Sequence, residues 1–119
     1  MADMKLGVVE EQFADIVWSN EPLPSGELVA LCADQLGWKK STTYTVLKKL
    51  CEKGIFKNEN SIVSSVISHN EYCAIQSEEF VDETFSGSLP AFIATFTQRR
   101  RLSDEEIAEI KNLIDKMGE

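Results

Sequence analysis

Apolar residues fall at helical spacing over residues 9–18, where Val9, Phe13, Ile16 and Val17 share one face of a predicted helix. The run Asn20-Glu21-Pro22-Leu23-Pro24 stops it, because proline cannot continue the hydrogen-bond ladder. Ser25 is placed to cap a second helix running to about Leu36, with Leu28, Val29, Leu31, Cys32 and Leu36 as its stripe. Gly37 follows as a left-handed cap residue. After Trp38-Lys39-Lys40, Ser41 or Thr42 is expected to cap a third helix that ends at Gly54. Its inward positions are Thr43, Val46, Leu47 and Leu50. Its outward ones are Thr42, Tyr44, Thr45, Lys48, Lys49, Glu52 and Lys53.

Beyond Gly54 the period falls to about two. Residues 55–59 and 62–67 read as strands, with Asn60-Ser61 as the turn between them. Three helices and a small hairpin make a winged helix, in which the second and third helices form the helix-turn-helix pair. The rest of the chain is again helical in pattern. One helix is expected from about His69 to Phe85, closed by Ser86-Gly87-Ser88. A short amphipathic one carries Leu89, Phe92, Ile93 and Phe96. After Arg99-Arg100-Arg101, Ser103 and Glu106 form a capping box that opens a last helix. Its seam of Ile107, Ile110, Leu113, Ile114 and Met117 is narrow, and a helix this short needs something to pack on. A second subunit is the natural candidate. The fold class expected is therefore mainly α with a small β-hairpin wing: a winged helix-turn-helix domain over residues 1–68 and a helical dimerisation region over 69–119.

A net charge of −8 speaks at first against nucleic acid. Its distribution changes that picture. Residues 38–57 hold six lysines against Glu52 alone, a local +5, whereas residues 69–119 hold eleven acids and five bases. A basic helix followed by an acidic half suggests two jobs in one chain. No run is apolar enough for a membrane span, and the start lacks the basic and apolar regions of a secretory signal, so a cytoplasmic protein without membrane insertion is expected. Cys32, Cys51 and Cys73 lie far apart and include no C-x-x-C pair. They read as buried thiols in a reducing compartment rather than a disulfide framework or a zinc site. His69 is the only histidine, and it reads as a helix-start or surface residue. With no nucleophile-base constellation and no glycine-rich phosphate loop, no catalytic residue, metal or cofactor is expected, and the chain reads as a non-enzyme.

Three segments together carry a resemblance to a known family. The first joins Val17-Trp18, Pro22-Leu23 and Glu27-Leu28-Val29. The second joins Trp38, the run Thr42-Thr43-Tyr44-Thr45-Val46-Leu47-Lys48-Lys49-Leu50, and Lys53-Gly54. The third joins Phe80, Ser88-Leu89, Phe92, Phe96 and Leu102-Ser103-Asp104-Glu105-Glu106-Ile107. In order and spacing they resemble the penicillinase-repressor (BlaI/MecI) family of winged helix-turn-helix repressors, over nearly the whole chain. The resemblance implies a homodimer on a palindromic double-stranded DNA operator. Lys39, Lys40, Ser41, Thr42, Tyr44, Thr45, Lys48 and Lys49 would face DNA, although a partly buried Tyr44 is the alternative for that residue. Phe80, Leu89, Phe92, Ile93, Phe96, Ile107, Ile110, Leu113 and Ile114 would hold the dimer. It also implies release by a membrane sensor metalloprotease, with Thr95–Phe96 as the matching bond.

The sequence departs from the family's pattern in five places. Ser41 stands where lysine is common and Lys49 where arginine is common. The wing is short and lacks the usual basic and aromatic residues. Thr95 replaces the asparagine that precedes the cut in the best-known members. No cysteine follows Cys73, which excludes the copper site of the family's copper-responsive branch. Two other functions compete: a winged helix used only for protein interaction, and a small-molecule-responsive regulator of another helix-turn-helix family, its pocket lined by Phe80, Phe85, Phe92 and Phe96.

Overall fold

The structure is a computed structural model and describes residues 4–119; the first three residues, with which the expected first domain begins, lie outside it. The elements run α1 (Val8–Asn20), β1 (Leu23–Pro24), α2 (Ser25–Leu36), α3 (Lys40–Glu52), β2 (Phe56–Glu59), β3 (Ile62–Ser65), α4 (His69–Phe85), α5 (Leu89–Phe96) and α6 (Asp104–Met117). The chain divides into two compact units, residues 1–76 and 77–119.

The first unit is a winged helix. Phe13, Val17, Leu28, Cys32, Leu50, Ile55, Phe56 and Val63 are its fully enclosed centre. Phe56 meets Phe13 and Trp18 edge-on at 6.3 and 5.4 Å, and Trp38 stacks on Phe13 at 5.7 Å. Such aromatic pairs add specific geometry to the burial. Gly37 ends α2 in the left-handed conformation (φ 69°) that only glycine adopts freely. The N–H groups of Gly37 and Trp38 donate back to the carbonyls of Ala33 and Cys32, which turns the chain sharply into α3. Thr43, buried on α3, donates to the Lys39 carbonyl.

The sheet has three strands in the order β1-β3-β2, one more than the hairpin expected. Leu23 pairs with Val63 and Pro24 with Ile62, while Glu59 faces Ile62 across the two-residue turn Asn60-Ser61. Both turn residues have positive φ (53° and 64°), the backbone that matches the right-handed twist of a tight hairpin. Glu21 fastens the sheet to the end of α1: its Oε1 accepts from the N–H and hydroxyl of Ser65 at 2.8 and 2.6 Å.

Several local expectations change. Val9 lies on the solvent side, 54% exposed. Ser25 does not cap α2. It is the helix's first residue, buried, with Pro24 before it. Neither Ser41 nor Thr42 caps α3, whose N-cap is Lys39 without a side-chain bond. The first turns of α4 belong to the first unit, past residue 68: the Tyr72 hydroxyl accepts from the Leu6 N–H at 3.1 Å, and Trp18 packs on both His69 and Tyr72. His69 is the first residue of α4 and exposed. Cys32 is buried and Cys51 half-buried, but Cys73 is exposed, its sulfur 3.6 Å from the His69 ring.

The second unit holds the end of α4 with α5 and α6. Phe80, Phe85 and Phe92 meet mutually edge-on with centroids 5.5–6.0 Å apart, Phe96 joins Phe92 at 6.0 Å, and the Arg100 guanidinium lies 5.9 Å from the Phe96 ring. Ser88 caps α5 by accepting from the Ala91 N–H. The capping box on α6 is formed from both sides: the Ser103 hydroxyl accepts from the Glu106 N–H, and Glu106 accepts from the Ser103 N–H. These bonds hold the Glu106 carboxyl below the usual carboxylate range. Among residues 77–119 no side chain is fully buried.

Candidate nucleic-acid interface

Helix α3 packs Thr43, Leu47 and Leu50 inward, which leaves Ser41, Thr42, Thr45, Lys48, Lys49 and Glu52 on the exposed side. Lys39 and Lys40 stand exposed at its N-terminal end. The N-terminal part of such a helix is the part that enters a DNA groove in this motif, and a flank of lysines suits phosphates. Thr45 donates its hydroxyl proton to the Ser41 carbonyl at 2.9 Å, so what it presents outward is a methyl group and oxygen lone pairs.

Tyr44 is half-buried. Its hydroxyl donates to Ser25 Oγ at 3.1 Å, which ties α3 to the start of α2. The partly buried alternative therefore describes its setting. A groove of about 400 Å³ runs between α3 and β2, lined by Tyr44, Leu47, Lys48, Cys51 and Asn58. Burial raises the thiols of Cys32 and Cys51 above their ordinary pKa, so both stay protonated and unreactive at neutral pH.

The lysines of α3 are not equivalent. Lys49 Nζ lies 3.0 Å from Glu10 Oε2 on α1. Lys53 donates to the Lys5 carbonyl at 3.3 Å. Glu10 was not among the residues expected at this surface. A hydrogen bond from the Gly7 N–H, then the Lys49 contact, holds its carboxyl below the usual range, so it is ionised at neutral pH. On the wing, Lys57 lies 4.0 Å from Glu59, and the exposed tip carries Asn60 and Ser61. One base and one acid leave the hairpin without net charge.

In the second unit, Leu89, Phe80, Phe96, Ile107, Leu113 and Ile114 are exposed, while Phe92, Ile93 and Ile110 are half-buried. Leu113, Ile114 and Met117 are 58%, 57% and 81% exposed, so the seam of α6 is apolar and open. Thr95 is exposed on the last turn of α5. Among the described residues, no three His, Cys, Asp or Glu side chains come together as a metal site, and no helix is long and apolar enough to cross a membrane.

A family model described as penicillinase repressor matches residues 6–116. The chain is similar to the methicillin resistance regulatory protein MecI of Staphylococcus aureus, 22% identical over 116 residues, which cover 94% of each protein. The MecI protein of Staphylococcus epidermidis matches with the same identity and coverage. The penicillinase repressor of Bacillus licheniformis is 21% identical over 111 residues, 90% of this chain and 87% of that protein.

Proposed function

The chain belongs to the penicillinase repressor family, and we propose that it represses transcription in the cytoplasm as a homodimer on a palindromic double-stranded DNA operator, with the first unit reading DNA and the second holding the dimer. The observation that carries this reading is the solvent face of α3, where Ser41, Thr42, Thr45 and Lys48 follow exposed Lys39 and Lys40. Thr42 and Thr45 are assigned to base edges. The outward methyl and lone pairs of Thr45 suit a thymine methyl or a base amino group. Lys39, Lys40 and Lys48 are assigned to phosphates, which position the protein and make binding salt-sensitive. Tyr44 supports the helix from beside the groove, and the wing is a minor contributor because it lacks net charge.

A titration of operator and unrelated duplex across salt concentrations tests the assignment. Lys48→Ala is expected to weaken binding to both duplexes alike and to flatten the salt slope by about one. Thr45→Ala is expected to change the preference between operators by roughly 1–3 kcal/mol if it removes a base contact. If both variants bind like the parent chain, α3 is not the reading element. Binding without salt dependence would favour a protein-interaction module instead.

Release by a cut at Thr95–Phe96, made by a membrane sensor metalloprotease, is the switch proposed. Its support is local: the bond lies in the last turn of α5, where helices fray, both residues are exposed, and the chain then runs without regular helix to Ser103. Phe96 packs on Phe92. A cut before it would part α6 from that cluster and separate the two half-site contacts. Mass spectrometry of the chain from induced cells should find fragments ending at Thr95. A full-length chain that leaves its operator on induction would exclude this switch and point to a bound ligand.

A further inference from the structure

The ion pair at the edge of α3 bears on how strongly that helix can hold DNA. Lys49 is the family-matched basic position on α3, yet its ammonium is 3.0 Å from Glu10 Oε2. The same carboxylate uses Oε1 to accept from the Gly7 N–H at 3.0 Å, at the start of α1. One oxygen is thus hydrogen-bonded, and the other, a buried atom without a hydrogen bond, has the Lys49 ion pair. The partners differ in setting: the Glu10 side chain is 18% exposed and that of Lys49 is 60% exposed. The acid is thus held in place, while the base could swing outward.

For Lys49 to reach a phosphate it would have to leave Glu10. That would leave a half-buried carboxylate with the Gly7 N–H and the more distant charge of Lys53. Leaving a partly desolvated charge unpaired is costly. A phosphate approaching this edge also meets the Glu10 charge directly behind the ammonium. A lysine already neutralised by a carboxylate displaces no counterion from DNA, and counterion release is the source of salt-dependent affinity. Among the described residues, ion pairs of this kind involve Lys49 and Lys57, while Lys39, Lys40 and Lys48 are not in one.

We infer that Glu10 is an internal counter-ion that withholds Lys49 from DNA phosphates, and so sets the strength of the DNA-reading surface below what its lysines alone would give. The inference rests on the DNA-binding reading above. Glu10 touches no DNA; it acts through Lys49 as a positioning residue. Its effect should appear in the salt slope, which a purely structural role would leave unmoved.

The test uses the full-length chain and a duplex of arbitrary sequence, titrated over a fourfold range of salt. Glu10→Gln keeps an oxygen for the Gly7 N–H but removes the charge. It is expected to steepen the slope by about 0.9, so that affinity gains about 3.5-fold more than the parent's for a fourfold fall in salt. The double variant Glu10→Gln with Lys49→Met is expected to return to about the parent slope, because the gain runs through Lys49. Thermal unfolding is followed in parallel. Glu10→Ala, with the same expected sign, is a second reporter should the glutamine variant fold poorly. A Glu10→Gln slope equal to or shallower than the parent's overturns the inference, as does a double variant that keeps the gain. A parent chain that shows no salt-dependent binding sinks the DNA-binding reading together with this one. A parent that binds, with an inert Glu10→Gln, sinks this one alone.

Discussion

Ile110→Asp combined with Leu113→Asp is expected to leave the chain monomeric at micromolar concentration and to weaken operator binding by about 10²- to 10⁴-fold. Helix α6 has 14 residues, near the length at which an isolated helix is marginal in water. Its capping box fixes only the first turn. Along the rest, Ile107, Leu113, Ile114 and Met117 stand exposed. Burying each such side chain in a partner contributes about 1.5–3 kcal/mol. A carboxylate at the same place loses that contribution and adds the penalty of an unpaired charge in an apolar interface. The reading helix is untouched, so the loss at the operator comes from separating two half-site contacts that had been intramolecular. Sedimentation and gel shift read the two effects separately. A parent chain that sediments as a monomer, or a double variant that stays dimeric, would remove α6 from the proposed interface.

Phe56→Ala is expected to destabilise the first unit by about 3–5 kcal/mol, the cost of deleting a buried aromatic from a core that collapses only in part. Phe56 is 1% exposed and lies between Phe13 and Trp18. A unit of this size has a total stability of only about 4–11 kcal/mol, so the loss takes a large share of it. The melting temperature should fall by more than about 12 °C. Ile62→Ala, on the same hairpin but exposed, should change stability by less than about 0.5 kcal/mol. If the two variants melt alike, Phe56 is not the centre of the core.

Most of this fold could be read from local pattern. The stripes of α1, α2 and α3, the left-handed stop at Gly37, the break at Ser86-Gly87-Ser88 and the capping box at Ser103 each depend on residues within a few positions of one another. Features made by distant residues were harder to read. β1 is two residues long and ends on a proline, and it exists as a strand only because β3 lies beside it. The caps expected at Ser25 and at Ser41 or Thr42 failed because Pro24 and Lys39 hold the N-cap positions, and the Ser25 hydroxyl oxygen accepts from Tyr44. The surface lysines looked alike in the sequence. What separates Lys48 from Lys49 is a carboxylate on another helix, and no periodicity links Glu10 to α3.

The absence of any fully buried side chain in residues 77–119 has a consequence for dosage. In the proposed dimer, much of the interior of that unit belongs to two chains at once, so pairing is also its main source of order. When chains are scarce, the paired species then varies as the square of their number. Halving the concentration of chains in a fixed volume leaves about a quarter as many pairs, by mass action alone. A gene held by such a repressor is sensitive to growth rate and gene copy number before any inducer arrives. The cell can shift it by making slightly less protein, with no chemical change to the protein itself.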